Sequence, residues 1–372
     1  MPAKVKSTKS KTSKTVAAAA TAKIENRATF ILKDIDIGYA NAIRRIIIAE
    51  LPTVAPSFDS YHAELNDFNF LVNTTQLHNE FMGHRIALVP MHFTMDEITN
   101  YEQAAYSFEI NVKNTTQEFL DVTSKDIVIY DANGKEMDAA FRDQVFPADP
   151  ITHDHVLITS LKPNLYNIEE GGHIHAKFSA RKGIAKTNAR WSRVSQCSYY
   201  NAVDESKSET ARKEANATQQ AWNTLNRDKH FKTNKYNEAN ELVFTIETIN
   251  QQHHAMDYWT EAIDILAAQV KELSKNRLMR IHTEKVSDVL QMMIKDIDLT
   301  LANLLQVVAY NTYIRKDKKE RLTFVGYYQP HPLENEIMFK LTLVEGVDHD
   351  DLVNDWFDMT LSVLNDLKTA PR

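Results

Sequence analysis

The chain has 372 residues, 43% of them hydrophobic, enough for two or three domains with real cores. Its net charge is −7; residues 1–23 hold six lysines and no acid, so the remainder carries −13 and is a poor candidate for gripping nucleic acid over a broad surface. The one cysteine, Cys197, excludes an internal disulfide and multi-cysteine zinc sites, and no apolar run approaches the roughly 18–20 residues that span a bilayer.

Residues 1–23, rich in Lys, Ser, Thr and Ala, are expected to be a disordered basic leader. A helix is predicted over 38–51, with Ala40, Ile43, Ile46, Ile47 and Ala49 on one face and Pro52 stopping it; Arg44 and Arg45 lie off that apolar stripe. Residues 53–180 read as mostly β. Strands are expected at 108–112, 127–130, 156–159 and 173–178, with an Asn133-Gly134 turn after the second. The stretch 200–240 is polar, without Gly or Pro, and reads as a surface excursion. A strand at 242–246 and a long helix at 256–278 follow, the latter with Ile263, Leu266, Val270 and Leu273 at helical spacing. The end of the chain reads as strand 289–297, helix 299–312, strands 322–328 and 336–344, and a helix over 350–367.

Ten residues near the start recur near the end. Leu32-Lys33-Asp34-Ile35-Asp36-Ile37-Gly38-Tyr39-Ala40-Asn41 matches Ile294-Lys295-Asp296-Ile297-Asp298-Leu299-Thr300-Leu301-Ala302-Asn303 at six of ten positions. Both copies end a β-like run and open a helical one. A repeated strand–turn–helix implies two related modules able to pair as the halves of a dimer would.

No catalytic constellation stands out. Eight glycines form neither GxxxxGK[ST] nor GxGxxG. Asp34/Asp36 and Asp296/Asp298 are paired carboxylates, but Asp at a strand-to-helix junction is the ordinary helix opener. His153-Asp154-His155 and His173-Ile174-His175 place two imidazole pairs on predicted strands, where i and i+2 share a face. They leave open an enzyme reading, a His-ligated metal-dependent hydrolase. The densest basic stretch, Arg181 to Arg193, can meet protein or nucleic acid.

Several segments resemble the α-like assembly subunits of multisubunit DNA-dependent RNA polymerases. Ala40-Asn41-Ala42-Ile43-Arg44-Arg45 through Ala55, and Asn73-Thr74-Thr75-Gln76-Leu77-His78-Asn79-Glu80-Phe81-Met82-Gly83-His84-Arg85 through Pro90, resemble the third-largest eukaryotic subunit and the archaeal D subunit. Lys182-Gly183-Ile184-Ala185-Lys186 with Ala189-Arg190-Trp191 is similar to that family's signature after its insertion domain. Asp298-Leu299-Thr300-Leu301-Ala302-Asn303 and Phe324-Val325-Gly326-Tyr327-Tyr328-Gln329-Pro330-His331-Pro332 resemble its small archaeal-L-type partner. Many relatives carry a metal-binding cysteine cluster in the insertion; residues 91–108 here contain no cysteine. The two partners are normally separate chains, and such a fusion resembles those of large cytoplasmic DNA viruses.

The resemblance implies an α+β platform without an active site or cofactor. Its first dimerisation module would comprise 24–54 and 182–280, its insertion 55–181, and its second module 281–372. Asn41, Arg44, Arg45, Glu80, His84, Arg85, Lys182 and Lys186 would serve the subunit interface, and Ile43, Ile47, Ala302, Asn303, Leu305 and Val308 the intramolecular pairing. The implied partners are two large catalytic polymerase subunits and small accessory subunits, with DNA met only through the complex and no membrane. The implied location is the host cytoplasm, in a viral factory, and the virion, with the nucleus as the alternative.

Overall fold

The computed structural model of the chain describes residues 5–7, 25–286, 289–315 and 321–368. Strands β1 (Val5–Ser7) and β2 (Arg27–Lys33) precede helix α1 (Ile37–Ala49), and Pro52, which cannot extend a helix, opens β3 (Pro52–Ala55). The insertion follows as β4 (Phe68–Asn73), α2 (Asn79–Ala87), α3 (Met95–Thr99), β5 (Tyr106–Lys113), β6 (Leu120–Thr123), β7 (Ile127–Asp131), α4 (Ala139–Val145), β8 (Leu157–Leu161) and β9 (His173–Phe178). Strand β10 (Arg181–Ile184) returns to pair with β3, and β11 (Val194–Asn201) follows it. The polar stretch then folds as two short helices, α5 (Glu205–Glu214) and α6 (Gln219–Leu225), held by Trp222 stacked on His230 and bonded to Ser208. Next come β12 (Glu241–Thr248), α7 (Ala255–Lys275), α8 (Arg277–Arg280), β13 (Ile281–Val286), β14 (Val289–Lys295), α9 (Leu299–Ala309), β15 (Leu322–Tyr328), β16 (Glu336–Leu343) and α10 (His349–Lys368). The architecture is α+β.

Two four-stranded antiparallel sheets, β1-β2-β12-β11 and β13-β14-β16-β15, have the same order of related strands. The repeat spacing of Leu32 to Ile294 carries β2 onto β14 end for end. Asp34 and Asp296 both take left-handed backbone, φ 54° and 56°. Asp36 and Asp298 both cap the following helix, accepting from the Gly38 and Thr300 amides respectively. The packing repeats as well. Phe244 on β12 stands opposite Phe30 and Tyr199, and Phe339 on β16 stands opposite Met292 and Tyr327. Trp259 of α7 meets Phe244 edge-on, as Trp356 of α10 meets Phe339.

One apolar core joins both sheets and helices α1, α7, α9 and α10, with Ile43, Ile47, Leu266, Leu305, Val308 and Trp356 all buried. Each such side chain contributes roughly 1.5–3 kcal/mol by leaving water. A second core, with Phe108, Ile110, Ile129, Phe146 and Phe178, belongs to residues 54–180.

The structure departs from the sequence reading in four places. Val5–Ser7, expected in a disordered leader, form an edge strand on β2; the rest of that leader lies outside the described residues. Strand β13, a hairpin partner of β14, was not expected, and the predicted helix to residue 312 turns into a π-helical segment, Tyr310–Ile314. His153 and His155 lie in the loop before β8 rather than on a strand, with His153 at φ 64°.

Candidate functional site

Helices α1 and α9 cross with opposite chain sense, because Gly38 meets Val307 at one end and Arg45 meets Thr300 at the other. A Cβ on Gly38 would stand 2.7 Å from the Val307 Cγ2, so only glycine allows this approach. Arg45 Nε donates to Thr300 Oγ1 at 2.8 Å. Past the ends of the helices each cap carboxylate receives a donor from across the seam. Asn311 Nδ2 donates to Asp36 Oδ2 at 3.1 Å and to the Tyr39 hydroxyl at 3.2 Å. Lys186 Nζ donates to Asp298 Oδ2 at 3.0 Å and to Glu50 Oε1 at 3.2 Å, while its backbone N–H bonds the Ala49 carbonyl. Burial pushes the Asp298 carboxyl up, but the Leu301 and Thr300 amides and the Lys186 ammonium outweigh it and leave the group below its ordinary range.

The expected pairing residues Ile43, Ile47, Ala302, Leu305 and Val308 are buried in the shared core, and Asn303 is half-buried. The expected interface residues are scattered. Arg44 turns back along its own helix to Asn41 Oδ1, through Nε at 3.1 Å and Nη2 at 3.0 Å. Arg45 and Lys186 are engaged in the seam while both side chains stay exposed; spacing along the chain cannot reveal partners so distant in sequence. Lys182 bonds the Thr99 carbonyl. Glu80, His84 and Arg85 share α2, with Arg85 bonded to the Leu157 and Ile158 carbonyls of β8. The sequence reading missed exposed apolar side chains on α2 (Phe81, 57% exposed), just past it (Leu88, 63%) and on β4 (Leu71, 50%).

It also missed a buried polar cluster that ties the insertion to α7. Arg193, 3% exposed, donates through Nη1 to both Glu261 oxygens at 2.9 Å and to the Pro52 carbonyl at 3.1 Å. Its other arm reaches Met95 of α3 and His253, and its guanidinium lies 4.3 Å from the Tyr258 ring centroid. Burial raises the Glu261 carboxyl despite Arg193. Burial lowers His92 to about 4, and burial with the neighbouring Arg193 lowers His253 to about 3. Nothing in the local pattern around Arg193 signals this role.

His173 Nε2 lies 2.9 Å from Asn111 Oδ1 and His175 Nε2 lies 2.6 Å from Glu109 Oε1. Among the described residues no group of three or more His, Cys, Asp or Glu side chains is arranged to hold a metal ion. Cys197 is buried, and burial pushes its thiol up to about 12.

A duplicated strand–turn–helix whose helices pack across one seam defines a dimerisation fold. The family model described as the RNA polymerase Rpb3/Rpb11 dimerisation domain matches residues 29–270, and the chain belongs to this family. Among its relatives, subunit 3 of DNA-directed RNA polymerases II, IV and V of Arabidopsis thaliana is 31% identical over 181 residues, 45% of this chain and 51% of that protein. The human DNA-directed RNA polymerases I and III subunit RPAC1 is 28% identical over 192 residues, 47% and 51% of the two chains. The Rpo3 subunit of Methanosphaera stadtmanae is 23% identical over 180 residues, 48% and 58%. The chain thus spans about half the length of the relatives it matches.

Proposed function

We propose that this chain is a non-catalytic assembly platform of a DNA-dependent RNA polymerase, which pairs its two modules intramolecularly and holds the two large catalytic subunits. The observation that carries this reading is the repeat itself: two equivalent strand–turn–helix units in one polypeptide, with α1 against α9 and one core between them. On this reading residues 281–372 are the small L-type partner fused to the D-type module of 24–54 and 182–280, while 55–181 form the insertion. Fusion makes pairing intramolecular, at an effective concentration on the order of millimolar for short linkers, and fixes one copy of each half per enzyme. The large-subunit contact is assigned to Asn41, Arg44, Arg45, Glu80, His84, Arg85, Lys182 and Lys186; the bonds of Arg45 and Lys186 across the seam leave both side chains exposed. Small accessory subunits complete the partners, and DNA is met only through the complex. The fusion, by its resemblance to those of large cytoplasmic DNA viruses, supports a viral source, with work in the host cytoplasm and storage in the virion; a nuclear site is the alternative.

Residues 24–280 and 281–372 expressed as separate chains should associate one to one, and only together retain the large subunits. Two stable chains that ignore each other would sink the pairing. The metal-hydrolase alternative has no observation in its favour beyond the histidine pairs, of which His173 and His175 are bonded to Asn111 and Glu109.

A further inference from the structure

The repeat makes Gly38 equivalent to Thr300 and Arg45 equivalent to Val307. The two cross-seam contacts, Gly38 to Val307 and Arg45 to Thr300, are therefore one contact seen from both sides of a pseudo-twofold axis. Their chemistry nevertheless differs: one end packs methyl groups into the hollow of a glycine, the other joins a guanidinium to a hydroxyl. We infer that these four residues form a selectivity code, by which α1 accepts α9 and rejects an identical helix from a second copy of the chain. The inference rests on the intramolecular pairing proposed above.

Like-with-like pairing fails at both contacts. Two α1 helices would set Gly38 against Arg45 twice, leaving each guanidinium without its hydroxyl acceptor and each glycine hollow without methyl groups. Two α9 helices would set Thr300 against Val307 twice. There a Cβ occupies the space that Gly38 leaves open, where the separation from the Val307 Cγ2 is 2.7 Å, and the hydroxyl loses its donor. Selectivity of this kind needs only that the wrong pair be worse than the right one, and an unfilled hollow, a steric overlap and a lost hydrogen bond all act in that direction. The consequence is that copies of the chain do not pair α1 with α1 or α9 with α9 while the polymerase assembles.

The full-length chain can carry each like-with-like seam internally. Gly38→Thr with Arg45→Val gives α1 the α9 pattern; Thr300→Gly with Val307→Arg gives α9 the α1 pattern. Each double variant should melt several degrees below the parent, and the four-site variant, which exchanges the two patterns and restores complementarity, should recover at least about half of the combined loss. Losses that merely add in the four-site variant would overturn the code. A milder pair guards against unfolding: Gly38→Ala should lower the melting temperature and Val307→Ala should relieve that loss, and no relief would equally overturn it. Failure of the code is separable from failure of pairing. A chain nicked at a protease site placed between the exposed residues Leu278 and Met279 still co-elutes as one complex if pairing holds, whatever the four-site variant does.

Discussion

Arg45 Nε and Thr300 Oγ1 lie 2.8 Å apart although 255 positions separate them in the chain. The bond joins the middle of the first repeat helix to the opening of the second, and it engages the Nε of a side chain that stays exposed. Truncating Arg45 to alanine should lower the stability of the isolated chain by about 0.5–1.5 kcal/mol, the usual net worth of such a bond. In urea titrations the Arg45→Ala and Thr300→Ala losses should overlap, the double variant costing less than their sum. Strict additivity would mean that the two groups do not interact in solution.

Arg193 is a different case, because its partner is left behind in a poorly hydrated place. Replacing it by methionine keeps the bulk but strands the Glu261 carboxylate, whose pKa burial already raises. Breaking a buried pair costs about 3–5 kcal/mol. Adding Glu261→Gln should restore part of that loss. Denaturation midpoints of the parent, the single and the double variant check this; a single variant within experimental error of the parent contradicts it.

The histidines beside this cluster set an acid limit. His92 and His253 have folded pKa values of about 4 and 3, below the ordinary 6.5, chiefly through burial. The unfolded chain therefore takes up protons first as pH falls. Their contribution is intact above about pH 6.5 and drains away toward pH 4, each histidine accounting for up to about 1.4 kcal/mol per pH unit. Unfolding free energy measured at pH 7.5 and 5.5 should fall, and the fall should be shallower in His92→Gln. A slope unchanged by that substitution would count against the assignment.

The face of α2 should matter for assembly and not for folding. Phe81 is 57% exposed, so Phe81→Ala should move the melting temperature little. If it anchors a partner, truncation costs about 2 kcal/mol or more in binding, roughly thirty-fold in affinity. Glu80→Ala serves as the polar companion. Pull-down of the large subunits measures both, and full retention by Phe81→Ala at every salt concentration would move the interface off this helix.

Much of the fold was legible because it is written in local pattern. The stripe Ile43, Ile46, Ile47 and the stop at Pro52 specify α1, and the Asp36/Asp298 repeat specifies two equivalent helix openings. What escaped lies in pairs distant along the chain. Phe244 with Trp259 and Phe339 with Trp356 extend the repeat through both modules, yet differing spacings and the intervening helices α5 and α6 hide the match. Strand β13 is short and mixes Ile281 and Val286 with His282, Glu284 and Lys285, so its pattern is too polar to announce an edge strand. Arg45 and Lys186 are exposed cations, as the local pattern suggests, but nothing nearby in sequence names Thr300 or Asp298 as their partners.

The platform reading is tested most directly by what a tagged copy of this chain retains when purified from its native setting. Quantitative mass spectrometry should find two large polymerase subunits at one copy each per tagged chain, with no second copy of the chain and no separate small L-type partner. Recovery of the chain without large polymerase subunits, or with a separate small partner in equal amount, would contradict it.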